Sequence, residues 1–297
     1  MISTYLVNGF LDAGKSTYIE DCFKNDFFYK REKGKTLLIC FEEGEKEFDL
    51  DFLHSRKTDV IYYDHIKEIR PFIQQAIDLY SPDRIYIEMN NMIENLYSSL
   101  PDVLRIDFSI TLIDGSTLSL YYNNMRQFLQ NMITISHHVI FNRCKKEIVE
   151  PYGNIFKVMN PKAMYLWEGD TGYHEKAFGV LLPYDLNQEK IIINDSDYVP
   201  FYLDSLEAPD HYVNKTIELI VQVLDDQKVG RQVMTCCLAD IQYLSFISDN
   251  LNSPKNTWIH LKAKGKISYD IYHQKRLALE MIKVTDTKIP EHRIIGL

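Results

Sequence analysis

The sequence predicts an α/β domain built on a mainly parallel, doubly wound sheet, followed by a small all-β domain. Three observations predict it. Through the first half, apolar β-rich runs (STYLVNG, TLLICFE, DVIYYD, RIYIEM, FSITLID, HHVIFN) alternate with helical patterns, the signature of parallel βαβ units. Several of these runs are nearly continuous apolar stretches, as strands require when helices cover both faces of their sheet. In the last third the chain changes to five short strand-like runs separated by turn-like segments, a spacing that fits a small antiparallel barrel of the OB kind.

Each element follows from its local pattern. STYLVNG opens as a buried strand, and the helix after it starts at Lys15. TLLICFE and DVIYYD follow as strands, then a helix around Lys67 to Leu79, the strands RIYIEM and FSITLID, a helix from Leu118 to Met132, and the strand HHVIFN. This α/β domain is expected to span 1–185. From about Ile191 to Asp210 the chain is acidic and interrupted by Pro200 and Pro209, so 186–212 is expected to be a linker. Beyond it TIELIVQVL, RQVMTC, YLSFIS, WIHLKAKGKI and LALEMIKV give the strands of a barrel domain over 213–297, with no long helix among them.

Composition narrows the function. A chain of 297 residues exceeds one average core, and 45% hydrophobic with 25% charged residues excludes a disordered or fibrous class. The net charge of -9, with no Lys/Arg block, repels a polyanion, so no nucleic acid partner is expected. Cys22, Cys40, Cys144, Cys236 and Cys237 lack C-x-x-C spacing and read as free thiols of a reducing compartment. The N-terminus reads as a strand, and no apolar run is long enough for a transmembrane segment, so a cytoplasmic location is expected.

GFLDAGKS, Gly9 to Ser16, fits the spacing G-x-x-x-x-G-K-[ST] and falls between a buried strand and a helix, the context in which that spacing cradles phosphate. Glycines let the backbone curl until its N–H groups point inward, and the helix N-terminus adds the positive end of its dipole. In this pattern Lys15 reaches the terminal phosphates of a nucleoside triphosphate and the Ser16 hydroxyl ligates Mg²⁺. The candidate binding residues are Gly9, Asp12, Ala13, Gly14, Lys15, Ser16 and Thr17. Asp12 puts a carboxylate where the chain wraps a polyanion; like charges repel strongly at low dielectric, so its side chain is expected to face solvent.

With these residues in hand, the N-terminal half resembles the P-loop GTPases of the CobW, HypB and UreG family, and its CobW-like branch in particular. GFLDAGKST is similar to that branch's GFLGAGKTT, and FEEGEKEFD aligns without a gap on its NEFGEVGID through Glu42, Gly44, Glu45 and Asp49. IYIEMNN resembles the hhExSG segment through Glu88, LIDG the VDA segment through Asp114, VIFNRCK the base-reading NKxD loop through Asn142, and VMNPKA the NP segment after it. The resemblance implies a Mg²⁺-dependent GTPase with Lys15, Glu42 and Glu88 in phosphoryl transfer to water. It also implies Ser16, Glu42 and Glu88 around Mg²⁺, Asn142 and Arg143 at the base, and a role in metal homeostasis or metal delivery. A carboxylate at the carboxyl end of a parallel strand, as Glu88 is, independently occupies the edge where such sheets bind ligands.

Two departures qualify the match. Lys145 stands where NKxD carries its Asp; an ammonium has donors and no acceptor, so it cannot pair with the N–H edge of guanine, and GTP and ATP both stay open. Arg143 stands for the motif's Lys and suits stacking across a base. The branch's CxCC metal motif is absent between FEEGE and Glu88, where only His54, His65 and carboxylates occur, fewer clustered ligands than a zinc site needs.

FYLDSLEAPDHYVNKTIEL, VGRQVMTCCLAD and IHLKAKGKI resemble the C-terminal, OB-like domain of a bacterial family that accompanies a membrane permease, from about Asp197 to Leu297. Cys236 and Cys237 are its most specific element. Adjacent side chains of a regular strand face opposite sides, so the pair meets one soft ion, Zn²⁺ or another transition metal, only through a bulge; core packing is the competing use of such cysteines. Tyr243, Phe246 and Trp258 fit barrel packing better than base stacking. Two functions are expected from all this: a Mg²⁺-dependent NTPase of the CobW kind that binds and hydrolyses GTP or ATP and works with a metal-handling protein, or a non-hydrolysing nucleotide-sensing adaptor whose C-terminal domain docks on a permease or another partner.

Overall fold

The computed structural model describes residues 1–25, 34–42, 44, 46–64, 68–93, 95–169, 174–235, 240–249, 251 and 253–297. The chain packs as two units, Met1–Pro151 with Lys162–Phe178, and Tyr152–Pro161 with Gly179–Leu297.

In the first unit β1 (Ile2–Asn8) leads into α1 (Lys15–Lys24). β2 (Thr36–Cys40), α2 (Leu50–Ser55), β3 (Thr58–Tyr62), α3 (Ile69–Tyr80), β4 (Arg84–Glu88), β5 (Leu104–Asp114), α4 (Leu118–Asn124), α5 (Arg126–Thr134), β6 (His138–Asn142), β7 (Met164–Glu168) and β8 (His174–Lys176) follow. Among the described residues the strands form one sheet in the order β3-β2-β4-β1-β5-β6-β7-β8. Neighbours from β3 to β7 run parallel, and β8 closes the edge antiparallel to β7. The apolar runs are continuous because both faces are covered. Leu6, Leu37, Ile39, Ile85 and Ile87 pack with Ile73 of α3 on one face; their strand neighbours Val7 and Leu38 pack with Leu112, Ile140 and Ile19 of α1 on the other.

The helix expected from Leu118 to Met132 is two helices, broken at Met125 (φ -135°, ψ 34°). Just before the break the Asn124 side chain donates to Leu120 O at 2.8 Å, the local side-chain bonding by which Asn competes with continued helix.

The second unit holds α6 (Gly153–Met159), β9 (Lys190–Ile193), α7 (Tyr198–Glu207), β10 (Thr216–Asp225), β11 (Lys228–Met234), β12 (Gln242–Asp249), β13 (Trp258–Tyr269), β14 (Lys275–Asp286) and β15 (Ile294–Gly296). β10, β11, β12, β14 and β13 pair in a ring that returns to β10, with β12 and β14 parallel and the other pairs antiparallel. The five strand-like runs of the sequence are these five strands, and they make a five-stranded barrel. Ile217, Leu219 and Val221 of β10 face Ile259, Leu261 and Ala263 of β13 in its core, every second residue of each strand. β9 and β15 extend the sheet beside β10 and β11.

The stretch 186–212, expected to be a linker, carries β9 and α7 and belongs to the barrel's own core. Pro200 was the misleading signal. It occupies the first turn of α7, where a missing N–H leaves no bond unmade. The helix also lacks a polar stripe, because Tyr198, Val199, Phe201, Leu203, Asp204 and Ser205 are all buried, and a helix buried nearly all round shows no amphipathic period. Phe201 stacks tilted on Phe246 at 4.9 Å between ring centres.

Arg231 of β11 takes the inward register between Val229 and Val233 and is 1% exposed. Its guanidinium donates to Ile220 O at 3.3 Å, to His292 O at 2.6 Å and to the Asp195 carboxylate, and lies 5.1 Å from the Trp258 ring. A buried cation persists only when paired, so this one ties β10, the approach to α7 and the approach to β15 together. Arg231→Met is expected to lower the unfolding free energy by about 2–3 kcal/mol, less than for a fully buried pair because Asp195 regains water; a urea melt of the full chain measures it.

Candidate functional site

β1 delivers the chain to the carboxyl edge of the sheet, and the loop after it is shaped by three left-handed positions, Gly9 (φ 149°), Asp12 (φ 59°) and Gly14 (φ 93°). At Gly9 an added Cβ would also stand 2.7 Å from Leu112 O of β5, so conformation and space both demand glycine. Ala13 N donates to Phe10 O at 3.2 Å and Tyr18 N to Gly14 O at 3.0 Å, which closes the loop and starts α1 within a few residues.

Lys15 is buried. Its ammonium donates to Gly9 O at 3.2 Å, to Phe10 O at 2.9 Å and to the Glu42 carboxylate. The Ser16 hydroxyl donates to Glu88 Oε1 at 2.9 Å. Glu88 ends β4, in register with Val7 of β1 and Cys40 of β2, and is itself buried. Burial raises its carboxyl above the ordinary carboxylate range; the Lys15 charge and the Ser16 bond pull the other way, and the Glu42 charge adds to the rise. The same burial and the neighbouring Glu88 push the Cys40 thiol up.

The segment after β2 is fastened twice more. Lys46 donates to Glu20 Oε2 at 2.8 Å, and the Asp49 amide to Glu20 Oε1 at 3.0 Å. Burial acts to raise the Glu20 carboxyl, but these donors hold it below its usual value. Asp49 then caps α2, its side chain accepting from Phe52 N at 3.0 Å. Ser16, Glu42, Glu88 and Lys46 border a common pocket of about 330 Å³.

At the other end of the loop, Asn142 donates through Nδ2 to Ala13 O at 2.9 Å, and its Oδ1 is buried with no partner among the described residues. Arg143 (φ 53°) donates to Asp12 O and, at 3.0 Å, to Asp114 Oδ2. Burial favours protonation of Asp114, but Ser116 and Arg143 outweigh it and keep the carboxyl low. Gly14, Thr17, Asn142, Lys145 and Trp167 line a cavity of about 930 Å³, whose Trp167 wall is fixed by a 2.9 Å bond from Nε1 to Cys144 O.

The fold therefore gathers Gly9, Asp12, Ala13, Gly14, Lys15, Ser16 and Thr17 in one loop and brings Glu42, Glu88, Asn142 and Arg143 to it from three other strand ends. Asp12 is exposed. Ser16, Glu42 and Glu88 offer a hydroxyl and two carboxylates, hard oxygen donors that suit Mg²⁺ held jointly with phosphate oxygens. Among the described residues no three His, Cys, Asp or Glu side chains form a cluster able to hold a metal by themselves. Cys236, Cys237, Glu45 and His65 lie outside the described residues, and His54 is exposed on α2. Sequence reasoning passed over Glu20, Lys46 and Asn91, which donates to Gly9 O at 3.2 Å; for Glu20 the trace was a carboxylate in the otherwise apolar row of α1 that Ile19 and Phe23 mark. Among the described residues, no helix is long and apolar enough to cross a membrane.

No curated protein matches the chain. Among solved structures it is similar to the hydrogenase maturation factor HypB from Archaeoglobus fulgidus, at 13% identity over 56% of this chain and 80% of that one, with a TM-score of 0.38. It is likewise similar to the signal recognition particle receptor FtsY from Elizabethkingia anophelis, at 13% identity over 60% of this chain and 63% of that one, TM-score 0.38. Residues 170–293 match the family model of the DUF1980 C-terminal domain, so the part of the chain from β8 through β14, with the whole five-stranded barrel, is similar to that domain.

Proposed function

We propose that the first unit binds a Mg²⁺-nucleoside triphosphate, GTP or ATP, and hydrolyses its terminal phosphate in the manner of CobW-like P-loop proteins. The observation that carries this is the joint geometry of the loop: left-handed Gly9 and Gly14, Lys15 held at its centre, and Ser16 bonded to Glu88 from the neighbouring strand. Phosphoryl transfer asks a protein for positioning and charge more than for covalent chemistry, and this arrangement provides both. Lys15 takes the terminal phosphates, the loop amides and the N-terminus of α1 take the rest of the chain of phosphates, and Glu42 orients the attacking water or joins Glu88 and Ser16 at the cation. Bound Mg²⁺ supplies neutralisation of the charge that develops on the transferred group. The cavity beside Asn142, Arg143 and Lys145 receives the base. Work in metal homeostasis or delivery is the biological setting that the CobW resemblance suggests.

The barrel's pairing order, with one parallel pair closing an otherwise antiparallel ring, supports an OB-like second unit. One observation favours the adaptor function for it. In the turn between β13 and β14, Asp270 Oδ1 accepts from Tyr272 N at 2.9 Å and Gln274 N at 3.0 Å, and this fixed turn holds Ile271 85% and Tyr272 72% exposed, side chains of the kind that anchor partners.

Calorimetric titration with Mg·GTP and Mg·ATP, with phosphate release followed in parallel, tests the proposal. Lys15→Ala is expected to weaken binding of the preferred nucleotide by about a hundredfold or more, as loss of a buried charge-assisted contact does; equal binding by parent and variant would refute it. Binding without phosphate release would leave the adaptor function in its place. Because burial raises the Glu88 carboxyl, and a cation needs the carboxylate, the Mg²⁺-dependent part of nucleotide affinity is expected to fall as pH drops toward that raised value and to recover above it. In Glu88→Gln that pH dependence disappears along with most of the gain from Mg²⁺, both read from titrations across pH.

A further inference from the structure

Glu42 holds a position that neither the loop nor the cation site explains alone. The Lys15 side chain is 2% exposed and that of Glu42 is 13% exposed. Among the described residues, the hydrogen-bond acceptors of Lys15 are Gly9 O and Phe10 O, neutral atoms of its own loop, and the charged Glu42 carboxylate. The same carboxylate borders the 330 Å³ pocket with Ser16 and Glu88. Farther along the same segment Phe48 is buried, and Lys46 and the Asp49 amide bond to Glu20.

A terminal phosphate attracted by Lys15 therefore meets two carboxylates, Glu42 and Glu88, in a small pocket whose bordering cation, Lys46, is engaged by Glu20. Like charges at such range repel strongly where water is scarce, and a cation placed among them reverses the sign of the interaction. We propose that Glu42 makes nucleotide binding conditional on a divalent cation. A metal-free nucleotide competes with Glu42 for Lys15 and then faces the displaced carboxylate, whereas the Mg²⁺ complex offers that carboxylate a new partner. Glu42 is thus a specificity residue that selects the metal complex over the free nucleotide. This inference rests on the nucleotide-binding function proposed above.

ATP and GTP are titrated calorimetrically into the full chain, once in EDTA and once in excess Mg²⁺, for the parent, Glu42→Gln, Glu42→Ala and Lys15→Ala. In EDTA, Glu42→Gln is expected to bind about tenfold tighter than the parent, equivalent to about 1.4 kcal/mol, and its further gain from Mg²⁺ is expected to be smaller than the parent's by at least the same factor. Equal affinities of parent and variant in EDTA, with equal gains from Mg²⁺ and binding still dependent on Lys15, would overturn the role of Glu42 while leaving the nucleotide site standing. No binding of either nucleotide to any protein under either condition would remove the nucleotide function and this inference with it. Circular dichroism melts accompany the titrations, and if one Glu42 variant melts early the other decides by the same criterion.

Discussion

The ammonium of Lys15 is a buried charge, and most of the first unit's architecture around the sheet edge answers to it. A buried cation without partners costs far more than a domain's margin of stability. The loop from Gly9 to Gly14 meets that demand with the carbonyls of Gly9 and Phe10, at the start of a turn that left-handed Gly9 opens. Glu42 supplies the opposing charge, and so the segment after β2 is drawn to the loop. Once there, the segment is fixed by Glu20, and its last residue, Asp49, caps α2. A single pairing requirement thus runs from β1 through α1 to the second strand and helix.

The second unit depends on a similar device of different purpose. Arg231 replaces an apolar side chain at an inward register position, and its acceptors come from β10, from the stretch between β9 and α7 and from the approach to β15. In the first unit a buried cation organises the loop after β1 and the strand ends around it; in the second it fastens a barrel to the segments around it.

Much of the fold was legible because the core strands of the first unit follow one rule: a residue such as Leu37 and its neighbour Leu38 both find a helix-covered face. The loop itself was legible from spacing alone, since Gly9, Gly14 and Lys15 serve backbone and charge requirements that few other residues meet. The convergence of Asn142 and Arg143 on that loop was reachable only through family resemblance, because they stand at the end of β6, which lies across β5 from β1 in the sheet and is distant from it in sequence. Lys46 was hidden because it reads alone as a charge on an exposed face, and Glu20 because its partners Lys46 and Asp49 stand more than 25 residues away in sequence. α7 was missed for the opposite cause, a helix so thoroughly buried that its sequence carries no stripe. Cys236 and Cys237, prominent in the sequence, lie outside the described residues.

The path of the chain between the units has a consequence for synthesis. Tyr152–Pro161 packs with the second unit, yet Lys162–Phe178 returns to complete the first. When β1 to β6 have left the ribosome, the sheet still lacks β7, and with it the Trp167 wall of the 930 Å³ cavity. α6 emerges before β7 but must wait for the barrel, whose strands begin beyond residue 215, to cover residues such as Val158. No single cut gives two self-sufficient pieces. Each unit is interrupted once by a stretch of the other, so a truncation that keeps either one whole carries part of its neighbour.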